Sequence, residues 1–206
     1  MKRLLAFLFG AVLLLPAFRA VAAEAPDALI RRISNEMLEK IKADKDLQAG
    51  DFAKLSALAD STVMPHVDFQ RMTALAVGRN WRTATPEQQK RLMEEFRVLL
   101  LRTYSGALSA VKDQTIRMKP MRAAPEDAEV IVRSEIVQPG REAAQLDYRL
   151  RKVDDAWKIY DVNVLGVWLI ETYRNQFAQE VSTKGIDGLI KSLSERNQAP
   201  DQSKKS

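Results

Sequence analysis

The chain has 206 residues, of which 46% are hydrophobic and 29% are charged, with no cysteine and a single histidine, His66. This length predicts one domain with at most a short appendage. The lack of cysteine excludes a disulfide framework, a thiol nucleophile and cysteine metal ligands, and a lone histidine excludes a zinc site built on a histidine pair. His66 directly precedes a predicted helix start, so we interpret it as a local structural residue and not as a catalytic one.

The first 23 residues have the three parts of a secretory signal peptide. Lys2 and Arg3 supply the positive start, an apolar run follows over 4–15, and the small residues at 21–23 fit cleavage after Ala23. The apolar run is shorter than the roughly 20 residues of a membrane-spanning helix. No cysteine follows it that could carry a lipid anchor. The sequence therefore predicts an exported protein that is soluble after cleavage.

Removing this segment changes the charge balance of the chain. The formal net charge of +5 includes Lys2, Arg3 and Arg19, so the remaining chain has 29 basic and 27 acidic residues, a net charge of +2. So small an excess argues against a nucleic-acid partner. We expect one domain over 24–195, followed by a polar, frayed tail over 196–206.

Helical periodicity dominates the first half of the domain. Apolar residues at three- and four-residue spacing predict a helix over 27–42. Asp51 and Asp68 predict the N-caps of two shorter helices, the second of which ends at Gly78. The segment 85–88 combines a capping box with proline at the first helical position, and it predicts a helix of roughly 26 residues with a broad apolar face.

From residue 114 the apolar period changes from helical spacing to strict alternation. Alternating segments begin near Ile116, Val130, Leu146 and Trp157, with turn signals between them. This pattern predicts an antiparallel meander of four strands with one apolar face. Helical spacing returns after Gly166 and is interrupted at Gly185. The order of elements predicts an α+β domain with helices packed on one face of a four-stranded antiparallel sheet.

The sequence contains no phosphate loop, nucleophile elbow, metal-ligand spacing or dinucleotide fingerprint. Its most informative feature is the amount of apolar surface on the long helix, the sheet and the last helix. Two interpretations fit this pattern. The helices and the sheet fill a core together, or they stand apart and enclose an apolar ligand cavity.

Two groups of motifs resemble a known protein family. The first group comprises His66-Val67-Asp68-Phe69-Gln70-Arg71-Met72 and the segment 77–88; the second comprises Trp157-Lys158-Ile159-Tyr160-Asp161-Val162, Gly166-Val167, Thr172-Tyr173-Arg174-Asn175-Gln176-Phe177 and the segment 185–190. In this order and spacing they resemble the MlaC family, also called the toluene-tolerance family, of periplasmic phospholipid-binding proteins. The resemblance extends over essentially all of the chain after residue 23. Leu165 and Trp168 depart from the family pattern at the junction of the last strand and helix.

The resemblance implies a fold related to the NTF2-like cone, in which a curved antiparallel sheet and helices enclose a deep apolar pocket. It implies a carrier of diacyl phospholipid between two membrane complexes, which maintains the lipid asymmetry of the outer membrane. One complex is an outer-membrane lipoprotein associated with a porin, and the other is an inner-membrane ABC transporter with a substrate-binding ring. It implies no cofactor, no metal and no catalytic residue.

Under this interpretation, face alternation selects the residues that are expected to contact the acyl chains. They are Phe96, Leu100, Tyr104, Leu108, Val130, Val132, Ile136, Leu146, Tyr148, Leu150, Trp168, Leu169, Tyr173 and Phe177. Arg79, Arg82 and Arg149 are the expected contacts of the headgroup phosphate at the pocket mouth.

Two alternatives from other classes remain open at this point. One is an adaptor or chaperone with a filled core, which would carry no extractable ligand. The other is a small-molecule enzyme on the same cone-shaped fold, with Asp161 and Tyr104 as its candidate catalytic groups. Asp161 lies in a predicted strand with no second titratable group nearby in sequence except Tyr160, which argues against the enzyme.

Overall fold

The computed structural model describes residues 24–199, except residues 123 and 125. The predicted signal peptide and its cleavage site, and the tail from residue 200 onward, lie outside the described residues. No helix among the described residues is both long enough and apolar enough to cross a bilayer.

Within these residues the chain forms an α+β domain in the order predicted. The helices are α1 (Pro26–Ala43), α2 (Lys45–Gln48), α3 (Phe52–Thr62), α4 (Phe69–Val77), α5 (Pro86–Ser109) and α6 (Leu169–Gln198), with short 3₁₀ helices at Met64–His66 and Gly78–Arg82. The strands are β1 (Thr115–Met118), β2 (Glu129–Val132), β3 (Ser134–Val137), β4 (Ala144–Val153), β5 (Ala156–Val164) and β6 (Val167–Trp168). The last helix continues to Gln198, three residues past the expected domain end, and Asn197 is buried with its amide donating to the Glu95 carbonyl at 2.9 Å.

The predicted helix starts are confirmed by their capping contacts. The Asp51 and Asp68 carboxylates each accept a hydrogen bond from the backbone N–H three residues later, at 3.0 Å. At Thr85 both halves of the capping box form: the hydroxyl accepts from the Gln88 N–H at 3.2 Å, and the Gln88 side chain accepts from the Thr85 N–H at 3.0 Å. These contacts satisfy helix-end donors that would otherwise lack a partner.

The sheet has six strands among the described residues, so the prediction of four was wrong. All pairings are antiparallel, in the order β1-β3-β4-β5-β6, with β2 also paired to β4. The predicted strand that begins at Val130 is broken at Arg133, because the Asp147 carboxylate accepts the Ser134 N–H at 3.1 Å in place of a ladder carbonyl. The sixth strand, β6, is only two residues long, too short for an alternation pattern to reveal.

Helix α6 folds back on itself at Gly185. This residue has φ 71° and ψ −178°, outside the helical region, so two helical arms meet there at a kink. As a result Glu180 on the first arm (169–184) contacts Ser192 at 3.0 Å and Arg196 at 3.3 Å on the second arm (186–198). The second arm buries Leu189, Ile190 and Leu193 in the same core as the first.

Three buried clusters hold the elements together. The largest joins α4, α5 and α6 to β5 around Phe96 and Phe177. A second packs the start of α1 on the sheet around Ile30, Val132 and Leu150, and a third joins α1, α2 and α3 around Ile41 and Leu55. The space between the three clusters is not filled.

Candidate functional site

The unfilled space is a cavity of about 450 Å³ between the helices and one face of the sheet. Its volume lies within the range of small-molecule binding sites. Helices α1, α3, α4 and α5, with the first residue of α6, supply one wall, and β1, β3, β4 and β5 supply the other. The second interpretation of the apolar surface, a hollow and not a filled core, therefore describes this domain.

The cavity wall is almost entirely hydrocarbon. Apart from the two tyrosines Tyr104 and Tyr148, the lining residues with polar side chains are Ser34, Arg97 and Gln114. The Arg97 guanidinium is held by the Asp60 carboxylate and by the Ser56 hydroxyl at 2.9 Å, so its charge is compensated outside the cavity. Such a wall offers dispersion contacts and exclusion of water but few polar contacts to a ligand.

Tyr148 supplies one of the few polar groups in this wall. Burial raises the pKa of its phenol to about 12, with the Ser34 and Ser134 hydroxyls as hydrogen-bonding neighbours. The Tyr148 side chain is half-buried, and it lines the hollow. Burial likewise raises the pKa of Tyr104. Both phenols are therefore neutral at ordinary pH.

Half of the residues expected to contact acyl chains line the cavity. They are Leu100, Tyr104, Leu108, Ile136, Leu146, Tyr148 and Leu169. Leu100, Tyr104 and Leu108 lie on α5. On β4, Leu146 and Tyr148 are two residues apart, which places them on the same face of the strand.

The other half lie in the solid parts of the core or at its edge. Phe96, Tyr173 and Phe177 form a buried aromatic cluster that packs α5 on α6, with ring centroids 4.9 Å (Phe96–Tyr173) and 5.2 Å (Phe96–Phe177) apart. Val130, Val132 and Leu150 pack against the start of α1. Trp168 is half-buried beneath the Arg149 guanidinium, 3.9 Å from its ring centroid.

The largest contribution that the sequence did not assign to the cavity comes from α1. Its lining residues are Ile30, Ile33, Ser34, Met37, Leu38 and Ile41, and further unassigned ones lie on β5, including Ile159, Val162 and Val164. The apolar stripe of α1 is clear in the sequence and could have flagged the helix. Which element that stripe faces is a matter of tertiary packing, and periodicity does not encode it.

The three arginines expected at the headgroup do not line this cavity. Arg79 and Arg82 are exposed on the 3₁₀ helix Gly78–Arg82, and Arg79 lines a separate groove with Arg174. Arg149 donates to the Asp161 carboxylate at 2.9 Å and covers Trp168. None of the three is placed to meet a ligand within the cavity, so headgroup contact by them remains a prediction.

The candidate catalytic groups are not brought together. Tyr104 lines the cavity, whereas Asp161 is fully buried outside it. The Asp161 carboxylate accepts from the N–H groups of Val162 and Ile170, at 2.9 and 3.1 Å, and from Arg149. Burial raises the pKa of Asp161. Its contact with the Ile170 N–H ties the start of α6 to β5, and its contact with Arg149 joins β5 to β4. Within the described residues no group of acidic or histidine side chains could hold a metal ion.

The fold and the cavity together define a class: an α+β binding protein that encloses an apolar hollow between its sheet and its helices. The chain belongs to the MlaC family, since the family model for MlaC protein matches residues 31–195. The expectation from the sequence motifs is thereby confirmed.

Individual relatives agree with this assignment. The chain is 27% identical to the toluene tolerance protein ttg2D of Pseudomonas putida over 203 residues, covering 94% of each chain. It is 22% identical to the intermembrane phospholipid transport system binding protein MlaC of Haemophilus influenzae over 184 residues, covering 88% of this chain and 86% of the relative.

A solved structure is closer still in sequence. The phospholipid-binding protein of Ralstonia solanacearum, determined in complex with a phospholipid, is 45% identical. It superposes with a TM-score of 0.80 over 83% of this chain and 96% of its own.

Proposed function

We propose that this chain is a periplasmic carrier that buries the acyl chains of a phospholipid in its cavity. It moves the lipid between an outer-membrane lipoprotein–porin complex and an inner-membrane ABC transporter, and so maintains outer-membrane lipid asymmetry. The observation that carries the proposal is the hydrocarbon wall of the 450 Å³ cavity. The bound phospholipid of the Ralstonia relative supports the same ligand class.

The energetics of lipid transfer require such a cavity. Each methylene group taken from water gains about 0.8 kcal/mol, so exposing two chains of about 16 carbons costs on the order of 25 kcal/mol. A carrier that crosses water must therefore cover nearly all of both tails. The headgroup needs no such cover and can stay in solvent, so we expect weak headgroup selectivity.

The wall contacts favour binding over catalysis. The two tyrosines of the wall have raised pKa values and no carboxylate beside them in the cavity, so the wall offers no acid–base pair. Nor does the sequence contain a nucleotide motif, so the direction of transport has to come from the partner complexes. Exchange of lipid between this cavity and that of a partner is then close to balanced.

A charge placed in the cavity wall tests the proposal. Leu100 lines the cavity on α5, and Leu100→Asp puts a carboxylate where acyl carbons would lie. We expect this variant to purify without phospholipid, measured as lipid phosphorus per protein, because burying an unpaired carboxylate against hydrocarbon is costly. The matched control is Ile131→Asp, which adds the same charge at a residue that is 38% exposed and outside the cavity wall.

The control should retain the lipid content of the parent protein. Circular dichroism and thermal unfolding establish that both variants are folded. A folded Leu100→Asp protein with the parent's lipid content would contradict the proposal.

A further inference from the structure

The turn between β5 and β6 carries two exposed apolar side chains side by side. Leu165 is 69% exposed and Val167 is 55% exposed, whereas among the other described residues Ile131, at 38%, is the one further large hydrophobic side chain that is exposed. We define Leu165, Gly166 and Val167 as the apolar tip. Isolated surface hydrophobic residues are ordinary, but two such side chains on one hairpin turn are a feature that needs an explanation.

The backbone at the apolar tip does not favour leucine. Val164 pairs with Val167, so Leu165 and Gly166 form a two-residue hairpin loop, and both have positive φ, 54° and 90°. A loop with two positive φ values selects asparagine, aspartate or glycine at its first position. Among the described residues, the other one with positive φ that is not glycine is Asp154, on the β4–β5 turn, where aspartate does suit the geometry. A leucine at this position is thus unfavourable twice, because its backbone has a positive φ and because its apolar side chain is exposed to water.

The apolar tip continues the cavity wall. Val164, directly before it, and Leu146, paired with Val164 on β4, both line the cavity. The Leu165 N–H donates to the Gln145 carbonyl at 3.0 Å, which holds the turn against the same strand. A membrane or protein that contacts the tip therefore lies next to residues that line the cavity.

From these contacts we infer that the apolar tip inserts into the interfacial region of a phospholipid bilayer. Trp168 directly follows the tip and is half-buried, and tryptophan is a residue that bilayer interfaces favour. A protein partner fits less well, since a specific interface needs about 800 Å² on each side and two exposed side chains at a hairpin turn offer far less. Insertion of two side chains gives weak, reversible attachment, which suits a protein that must leave the membrane again.

This inference rests on the proposed function, because it supplies the point at which a lipid carrier meets a membrane. Its test is the double variant Leu165→Asn/Val167→Thr. Asparagine removes the apolar side chain and suits the positive φ, and threonine keeps the β-branched shape of valine, so the turn is expected to fold at least as well as before. The control is Ile131→Thr, which removes an exposed apolar side chain from outside the tip.

Flotation with vesicles of phosphatidylethanolamine and phosphatidylglycerol measures the attachment. We expect the parent protein and the Ile131→Thr control to float, and the double variant to partition into vesicles about tenfold less or weaker still, as expected from removing buried apolar area. Equal flotation of the parent and the double variant would overturn the inference. A parent protein that does not float would also overturn it. If the double variant nevertheless carried less lipid in cells, the tip would contact a protein and not a bilayer.

A second readout locates the contact. The chain has no cysteine, so Leu165→Cys and Asp154→Cys each accept a single environment-sensitive fluorophore. With vesicles, the label at residue 165 should shift its emission to the blue and the label at residue 154, on the polar turn, should not. Native mass spectrometry of bound lipid is recorded for every variant, so that loss of lipid binding, a failure of the proposed function, is distinguished from loss of membrane attachment.

Discussion

At the scale of single residues, Tyr148 is the polar group in the wall whose chemistry the fold changes most. In an unfolded chain its phenol titrates near pH 10, whereas burial raises the pKa in the folded protein to about 12. Folding therefore favours the neutral phenol. The stabilisation from this group is complete below about pH 10 and is lost as the pH rises from about 10 to about 12.

The variant Tyr148→Phe has no phenol to ionise, and it also lacks the hydroxyl that meets Ser34 and Ser134. At neutral pH we expect it to be less stable than the parent by about 1 kcal/mol, the usual contribution of one such hydrogen bond. Between about pH 9 and about pH 11 the difference should shrink by about 1 kcal/mol, as the parent loses the stabilisation. Urea unfolding across this range measures it, and two curves that stay parallel with pH would count against a buried phenol.

At the scale of elements, the fold-back of α6 depends on two glycines. Gly185 has a positive φ that permits the reversal. Lys184 and Gly188 lie on opposite sides of Gly185, and a Cβ added at Gly188 would overlap the Cβ of Lys184. Because a Cβ cannot rotate away, Gly188→Ala should lower the free energy of unfolding by about 2 kcal/mol. Thermal or denaturant unfolding of the variant tests this.

Gly106 in α5 is the matched control for this substitution. A Cβ built there meets nothing within 4 Å, and the residue has a negative φ. Gly106→Ala should therefore stabilise the protein by about 0.5–1 kcal/mol through helix propensity. Equal effects of the two substitutions would mean that the two arms of α6 do not approach each other as described.

Elements whose signal is local were predictable from the sequence. Asp51, Asp68 and the capping box at Thr85 mark helix starts through contacts that span three residues, and all three form as predicted. Strand ends were harder, because the break at Arg133 depends on the Asp147 carboxylate from another strand. The strand β6 has only two residues and forms because the turn at Leu165 and Gly166 brings it back onto β5, so apolar alternation could not predict it.

The candidate site was predictable only in part, for a related reason. Periodicity identifies an apolar face but not what lies opposite it. On α5, Phe96 and Leu100 share one stripe, yet Phe96 meets the aromatic rings of α6 while Leu100 faces the hollow. Whether a residue of α5 meets α6 or the hollow is set by packing between distant parts of the chain, and so is the position of α1 at the cavity.

At the scale of the whole molecule, the hollow is the property that defines the protein. Well-packed domains leave few voids larger than a water molecule, so a 450 Å³ apolar cavity costs dispersion contacts that a ligand restores. A phospholipid that binds the folded state and not the unfolded one also stabilises it by mass action. Delipidated protein should accordingly unfold at a lower temperature than protein purified with its lipid, by scanning calorimetry, and identical transitions would argue that the cavity holds no acyl chains.

The most direct test is native mass spectrometry, with lipid extraction, on the protein expressed with residues 1–23 and purified from the periplasm. The account predicts a polypeptide that begins at Glu24 and carries a discrete added mass, which extraction releases as diacyl phospholipid. A bare polypeptide mass that stays bare after incubation with phospholipid vesicles would contradict it, because a lipid carrier has to hold lipid when lipid is supplied.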